Sequence, residues 1–139
     1  MNDRRSALRL RRFGFWLRLW TRAKILPWQL HQRSFEAVLE LAQPPNQHSF
    51  AGLSADYIAA AVVRVTRRPW LMRENRCLRQ GVLGFRFLSA AGFAPKLLFG
   101  IDASSMQSDR LAAHCWVSLN GQSLVSEQLP GLSVLYVHR

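Results

Sequence analysis

One cysteine stands where the sequence predicts the start of a helix. In the stretch NRCLRQGVLGFRFLSAAGF (75–93), Gly81 and Gly84 follow Cys77 by four and seven residues, which places all three on one helical face. The unpaired N–H groups and the positive dipole end of a helix N-terminus favour a thiolate over a thiol. Because the thiolate is the nucleophilic form of cysteine, this position is typical of nucleophilic catalysis. The alternative is a buried structural cysteine in a tightly packed helix.

The two glycines predict that another backbone lies close to this helical face. A glycine inside a helix costs about 1 kcal/mol relative to alanine, so two of them in one helix require a compensating contact. Cys77 would lie where that close approach begins.

A predicted hairpin brings a histidine and a carboxylate opposite each other. Asn120-Gly121 lies between two strand-like runs and is typical of a two-residue type I′ turn. Counting outward from that turn pairs Val117 with Leu124 and His114 with Glu127. Cross-strand neighbours have Cβ atoms about 4.5–5.5 Å apart, so the carboxylate would accept a hydrogen bond from one ring nitrogen. The other ring nitrogen would be free to face a thiol.

The group that orients the histidine has alternatives in the sequence. A one-residue slip of register would turn Glu127 to the opposite face of the sheet, which leaves Asn120 and Asp102 as further candidates. In the predicted register Cys115 points away from His114, and we interpret it as a core residue.

The sequence predicts no metal ion and no cofactor. His31, His48 and His138 have no neighbours at metal-ligand spacing. No glycine-rich phosphate loop occurs either.

The elements that must position these residues are helices first and strands second. Helical periodicity covers 9–27, which Pro27 ends or kinks, then 28–43, and then 55–68, for which Ser54 is the predicted N-cap. After Gly92 come four apolar runs of strand length, KLLFGI, AAHCWVSL, QSLVSE and SVLYVH, with a polar loop, DASSMQSDR, between the first two. This order predicts an α+β domain in which a small antiparallel sheet packs against the cysteine helix.

Length and charge limit the possible functions. A chain of 139 residues suits a single domain, in which we interpret 1–50 as a helical N-terminal extension and 51–139 as the core. A net charge of +11 indicates an anionic partner, such as nucleic acid, acidic lipid or an acidic peptide. Arg18, Arg22 and Lys24 interrupt what would be the apolar centre of a signal peptide, so we predict a cytoplasmic protein.

The N-terminal helix is predicted to be basic and amphipathic. Leu10, Phe13, Leu17 and Trp20 recur at helical spacing with arginines around them. We expect this apolar stripe to contact a partner or a membrane surface rather than its own domain, and the basic helix to allow contact with an acidic surface. Nucleic acid is not the expected partner, since solvated arginines around an apolar stripe explain the interleaving of basic and aromatic residues.

The joint order and spacing of the motifs resemble the transglutaminase-like cysteine proteases that remove leader peptides in lasso-peptide biosynthesis. That family has Cys-Leu opening a helix, a Gly-hydrophobic pair before an apolar strand that ends in glycine, then Ala-His-x-Trp-Val and a turn with glycine. Here the corresponding residues are Cys77-Leu78, Gly92-Phe93, Gly100, Ala113-His114-Cys115-Trp116-Val117 and Asn120-Gly121.

The resemblance implies a transglutaminase-like or papain-like fold and a cysteine peptidase. Cys77 would be the nucleophile, His114 the proton donor and Glu127 the orienting acid, although the family usually has aspartate there and alanine in place of Cys115. Implied partners are the precursor peptide, a separate leader-recognition protein and an ATP-using macrolactam synthetase. Two other classes of function remain open, an acyltransferase of the transglutaminase or arylamine type and a non-enzymatic basic binding module.

Overall fold

The computed structural model describes residues 2–31, 34–44, 48–67, 76–102, 113–126 and 130–139. Within these ranges four helices precede four strands, as the sequence predicts. The helices are α1 (Asn2–Leu30), α2 (Phe35–Ala42), α3 (Ala55–Thr66) and α4 (Arg76–Ala90). The strands are β1 (Lys96–Asp102), β2 (Ala113–Leu119), β3 (Gln122–Val125) and β4 (Leu132–His138). The predicted loop spans 102–110; its first residue, Asp102, is the last residue of β1, and 103–110 lies outside the described residues.

Serine side chains cap the two short helices. Ser54 accepts a hydrogen bond from the backbone N–H of Tyr57 at the start of α3, which confirms the predicted cap. Ser34 caps α2 in the same way. The predicted helix boundary at Pro27 is wrong, because α1 continues through that proline to Leu30, whose side chain packs against the core. The predicted second helix therefore begins at Phe35 rather than at residue 28.

The strands form one antiparallel sheet in the order β3-β2-β1-β4. Asn120 and Gly121 have φ angles of 52° and 81°, so both central residues of the β2–β3 turn are left-handed, as a type I′ turn requires. Next to this turn, Leu119 pairs with Gln122 and Ser118 with Ser123, as predicted. The predicted hairpin is therefore confirmed at its turn.

The predicted pairing is wrong beyond Ser118, because β3 contains a bulge. Val117 pairs with Val125 rather than with Leu124, so one extra residue lies in β3. The strand then ends at Val125, and Ser126 has a φ angle of 60°. The hairpin ladder therefore does not place Glu127 opposite His114. Glu127 itself lies outside the described residues.

Helices α1, α3 and α4 share one hydrophobic core with the sheet. The ring of Phe15 in α1 packs edge-to-face against Phe50 and Phe87, with ring centroids 5.4 and 5.5 Å apart. The indole N–H of Trp16 donates a 2.8 Å hydrogen bond to the hydroxyl of Tyr57 in α3. Helix α1 is thus packed onto the rest of the domain. Within the described part of the chain, no helix combines the length and hydropathy needed to cross a bilayer.

The glycine face of α4 lies directly against the sheet. A Cβ atom added at Gly81 would lie 2.9 Å from both Cys115 Sγ and Leu97 Cδ1. One added at Gly84 would lie 2.9 Å from a methyl carbon of Val125. These distances are shorter than real Cβ contacts, so only glycine permits this separation of helix and sheet. The predicted close approach to this helical face is confirmed, but the atoms that contact it belong to side chains of the sheet rather than to another backbone.

We predict opposite effects for two glycine-to-alanine changes in helices. Gly81→Ala should lower the free energy of unfolding by about 1–3 kcal/mol, because the new methyl group displaces Cys115 or Leu97 in a packed core. Gly14→Ala in α1 should raise it by about 0.5–1 kcal/mol, because that position has open space and alanine favours the helix. Urea denaturation measures both values. If Gly81→Ala raised the free energy of unfolding as much as Gly14→Ala does, α4 would lie farther from the sheet than described above.

Candidate active site

Cys77 is the second residue of α4 and is half-buried. Its backbone N–H is one of the first four in the helix, which have no acceptor within the helix itself. One turn later, the buried Gln80 donates a 2.8 Å hydrogen bond to the hydroxyl of Thr66 in α3. This contact fixes the first turn of α4 against α3, and so fixes the position of Cys77.

Cys115 of β2 lies against Cys77. Its thiol is 2.8 Å from the backbone carbonyl oxygen of Cys77, to which it donates a hydrogen bond. The backbone N–H of Cys115 donates to the sulfur of Cys77, and the Cys115 thiol can donate to that sulfur instead of to the carbonyl oxygen. A thiol has only one proton, so the sulfur is its preferred acceptor once Cys77 carries a negative charge. Both cysteines are free thiols.

These contacts stabilise the thiolate form of Cys77. Its pKa is lowered from 9.0 to about 5, chiefly by the hydrogen bond from the Cys115 thiol. Burial opposes this change, and the Cys115 N–H and the charge and hydrogen bond of His114 add to it. The pKa of Cys115 is raised, first by its hydrogen bond to Cys77 and then by burial, so Cys115 remains a thiol. Cys115 is buried in the core, as predicted. Its contact with the candidate nucleophile was not indicated by the sequence.

His114 is the second group beside the sulfur of Cys77. Its ring is stacked on that of Trp116, with centroids 6.0 Å apart and planes 21° from parallel. Trp116 in turn fills space that a side chain at position 100 would occupy, since a Cβ atom added at Gly100 would lie 3.1 Å from the indole. Gly100 and Trp116 thus hold the imidazole in place. The structure brings together the predicted pair, Cys77 and His114.

A hydroxyl group contacts the imidazole of His114. Ser126 Oγ lies 3.3 Å from Nε2, close enough for a hydrogen bond whose direction depends on the tautomer. Sequence reasoning missed Ser126, because the bulge in β3 and the left-handed Ser126 backbone create this contact. No residue type or spacing in the sequence signals that bulge.

The three predicted orienting residues have different positions. Asp102 lies two residues beyond Gly100, the β1 residue that pairs with His114, so it shares a face of the sheet with the imidazole as a diagonal neighbour. Asn120 is in the turn, six residues along β2 from His114 and therefore roughly 20 Å away, so its candidacy is wrong. Glu127 follows Ser126 directly but lies outside the described residues. Asp102 and Glu127 remain the acidic candidates.

The described groups suit acyl-transfer chemistry. They comprise a thiolate at a helix N-terminus, an imidazole beside it, and backbone N–H groups able to bind a developing oxyanion. Within the described ranges, no three His, Cys, Asp or Glu side chains lie close enough together to hold a metal ion.

We predict that alkylation of Cys77 by iodoacetamide follows the thiolate fraction. The rate should fall as the pH drops through the pKa of about 5, because protonation removes the nucleophile. Cys115→Ala removes the main stabilising donor and should move this midpoint to higher pH, whereas Cys115→Ser keeps a donor and should move it less. Cys77→Ala should abolish the labelling. An unchanged midpoint in Cys115→Ala would contradict the role assigned to the Cys115 thiol.

Comparison with known proteins identifies the family. The model of the Transglutaminase-like superfamily matches residues 7–136, a range that includes most of α1 as well as Cys77 and His114. No curated protein and no solved structure shows significant similarity to the chain. Members of the superfamily are typically cysteine-dependent enzymes. Since the match extends over most of the chain, the protein belongs to the transglutaminase-like superfamily.

Proposed function

We propose that the protein is a cysteine peptidase that removes the leader from a ribosomally made lasso-peptide precursor. The observation that carries the enzymatic part is the contact of Cys77 with both Cys115 and His114 at the start of α4. A core cysteine would have no need of a depressed pKa and an adjacent imidazole. The lasso-peptide substrate is supported by the motif resemblance, which covers residues 75–127.

The first half of the reaction forms a thioester. The Cys77 thiolate attacks the scissile carbonyl carbon of the precursor, and the backbone N–H of Cys77 helps to stabilise the oxyanion that develops. His114, acting as the general acid in its imidazolium form, donates a proton to the departing amine as the C–N bond breaks. The core peptide leaves, and the leader remains bound to Cys77 through its new C-terminal carbonyl.

The second half releases the leader. His114, now neutral, removes a proton from water as the water attacks the thioester carbonyl. The C–S bond breaks, the leader departs as a carboxylic acid, and Cys77 returns as the thiolate. Hydrogen bonds from Cys115 stabilise that thiolate, so Cys77 is a better leaving group than an ordinary thiol of pKa 9.0.

The partners follow from the proposed substrate. The precursor would be presented by a separate leader-recognition protein, and a macrolactam synthetase would close the released core peptide into a ring. We place the enzyme in the cytoplasm, where precursor peptides are synthesised and where thiols stay reduced.

Acyl transfer to an amine is the second candidate, and the superfamily match favours considering it. The same thioester would then react with an amine rather than with water. The mass of the released leader, measured with and without added amine, distinguishes hydrolysis from acyl transfer. Hydrolysis gives two fragments whose masses sum to that of the precursor plus one water, and transfer gives a leader–amine adduct.

We predict that Cys77→Ala abolishes leader removal without unfolding the protein. The substitution removes the nucleophile and only one half-buried sulfur. The full chain would be incubated with the precursor encoded beside its gene, with and without the leader-recognition protein, and the products read by mass spectrometry. Arg139→Gln, an exposed change at the other end of the sheet, is the matched control and should cleave normally. Undiminished cleavage by Cys77→Ala would exclude the peptidase.

From the family resemblance alone, which implies an orienting acid at Glu127, we predict that Glu127→Gln lowers kcat and leaves KM nearly unchanged. A glutamine oxygen can still accept the ring N–H of His114 but supplies no charge to the imidazolium, so the loss should be smaller than for His114→Ala. Asp102→Asn and Ser126→Ala, assayed in parallel, test the two described neighbours of the imidazole. Full activity of Glu127→Gln together with a large loss in Asp102→Asn would assign the acidic role to Asp102.

A further inference from the structure

Helix α1 has two apolar faces. Phe15, Leu19, Ala23 and Leu26 are buried on the inner face. On the opposite face lies an outer stripe, which we define as Leu10, Phe13, Leu17 and Trp20, with 74, 68, 55 and 42% of their surfaces exposed. The inner face supplies the buried side chains by which α1 packs onto the domain. The outer stripe requires another explanation.

Basic side chains border the outer stripe on both sides. Helix α1 carries seven arginines and one lysine against a single aspartate, a net charge of +7. At 100° per residue, Arg9 falls on one side of the stripe and Arg11 and Arg18 on the other. The ammonium of Lys24 lies 3.5 Å from the centre of the Trp20 ring. The guanidinium of Arg11 donates to the Ala51 carbonyl and that of Arg18 lies over the Phe50 ring. Both groups keep their charge in these contacts, so an anionic surface would meet positive charge along both edges of the stripe.

A cavity of about 590 Å³ lies beside the outer stripe and shares Leu17 with it. Its wall includes Phe50 and three arginines, Arg18, Arg22 and Arg86. No aspartate or glutamate occurs among its described lining residues. Arg86 is held in place by hydrogen bonds to the backbone carbonyls of residues 41 and 43. Burial and the charge of Arg22 lower the pKa of Arg86, so a bound anion would relieve this repulsion.

We propose that the outer stripe of α1 lies on an anionic lipid bilayer, and that the arginine-lined cavity beside it binds a lipid phosphate. An interfacial helix buries apolar side chains at the boundary between headgroups and acyl chains, while its flanking cations contact lipid phosphates. Trp20 suits this depth, because its ring is apolar and its N–H is polar. This attachment is independent of the peptidase activity.

The test is co-sedimentation of the full chain with vesicles. Vesicles of equal parts phosphatidylcholine and phosphatidylglycerol should bind the protein, pure phosphatidylcholine should bind it poorly, and added NaCl should weaken binding. Leu10→Ser combined with Leu17→Ser should lower the partition coefficient at least about tenfold, because two apolar side chains no longer enter the bilayer. Arg18→Gln combined with Arg22→Gln should lower it by about the same factor on mixed vesicles.

Two controls match these variants. Leu135→Ser removes a similarly exposed leucine from β4, and Lys96→Gln with Arg139→Gln removes two exposed charges away from α1. Both should bind as the unmodified chain does, and all variants should keep its melting temperature. Failure of the unmodified chain to bind mixed vesicles would overturn the proposal, as would unchanged binding by the Leu10/Leu17 variant. Equal binding to pure phosphatidylcholine would overturn the assignment to anionic lipid.

Discussion

The close approach of α4 to the sheet is the constraint on which the rest of the site depends. Because Gly81 and Gly84 carry no side chains, those of the strands pack directly on the backbone of α4. The first turn of α4 therefore reaches Cys115 in β2. That contact places a hydrogen-bond donor against Cys77, where burial alone would raise the pKa of the thiol. One buried side chain, Cys115, therefore serves both the packing of the core and the charge state of the proposed nucleophile.

Much of this arrangement could be predicted from the sequence, because it depends on local rules. Ser54 caps α3, Asn120-Gly121 forms a type I′ turn, and the glycine face of α4 meets the sheet, all from residue type and spacing. The register of β3 beyond Ser123 could not be predicted, because it is set by tertiary packing. The bulge brings Val125 rather than Leu124 to the face shared with Val117, where it packs on Gly84. That shift moves Ser126 next to His114 and removes the basis for pairing Glu127 with it.

In helix α1, too, tertiary packing decides something that the sequence pattern alone could not predict. Its periodicity predicts the stripe that contains Leu10 and Leu17, and both are exposed. A second apolar set, which includes Phe15 and Leu19, lies on the opposite side and is buried. A single helix with two apolar faces has an ambiguous periodicity, and only the positions of α3 and α4 decide which face is internal. Helix α1 therefore has a structural role on one face and the proposed contact with lipid on the other. It continues past Pro27 to Leu30, whose side chain packs against the core.

The central claim is that Cys77 is the nucleophile that receives the leader peptide. A leader peptide ending in a vinyl sulfone tests it most directly, because this group forms a stable thioether with an attacking thiolate. After reaction with the full chain, digestion and mass spectrometry should place the adduct on Cys77 and none on Cys115, whose raised pKa keeps it a thiol. An adduct on Cys115 would contradict this claim. So would protein that carries no adduct after treatment with the vinyl sulfone and still cleaves the precursor.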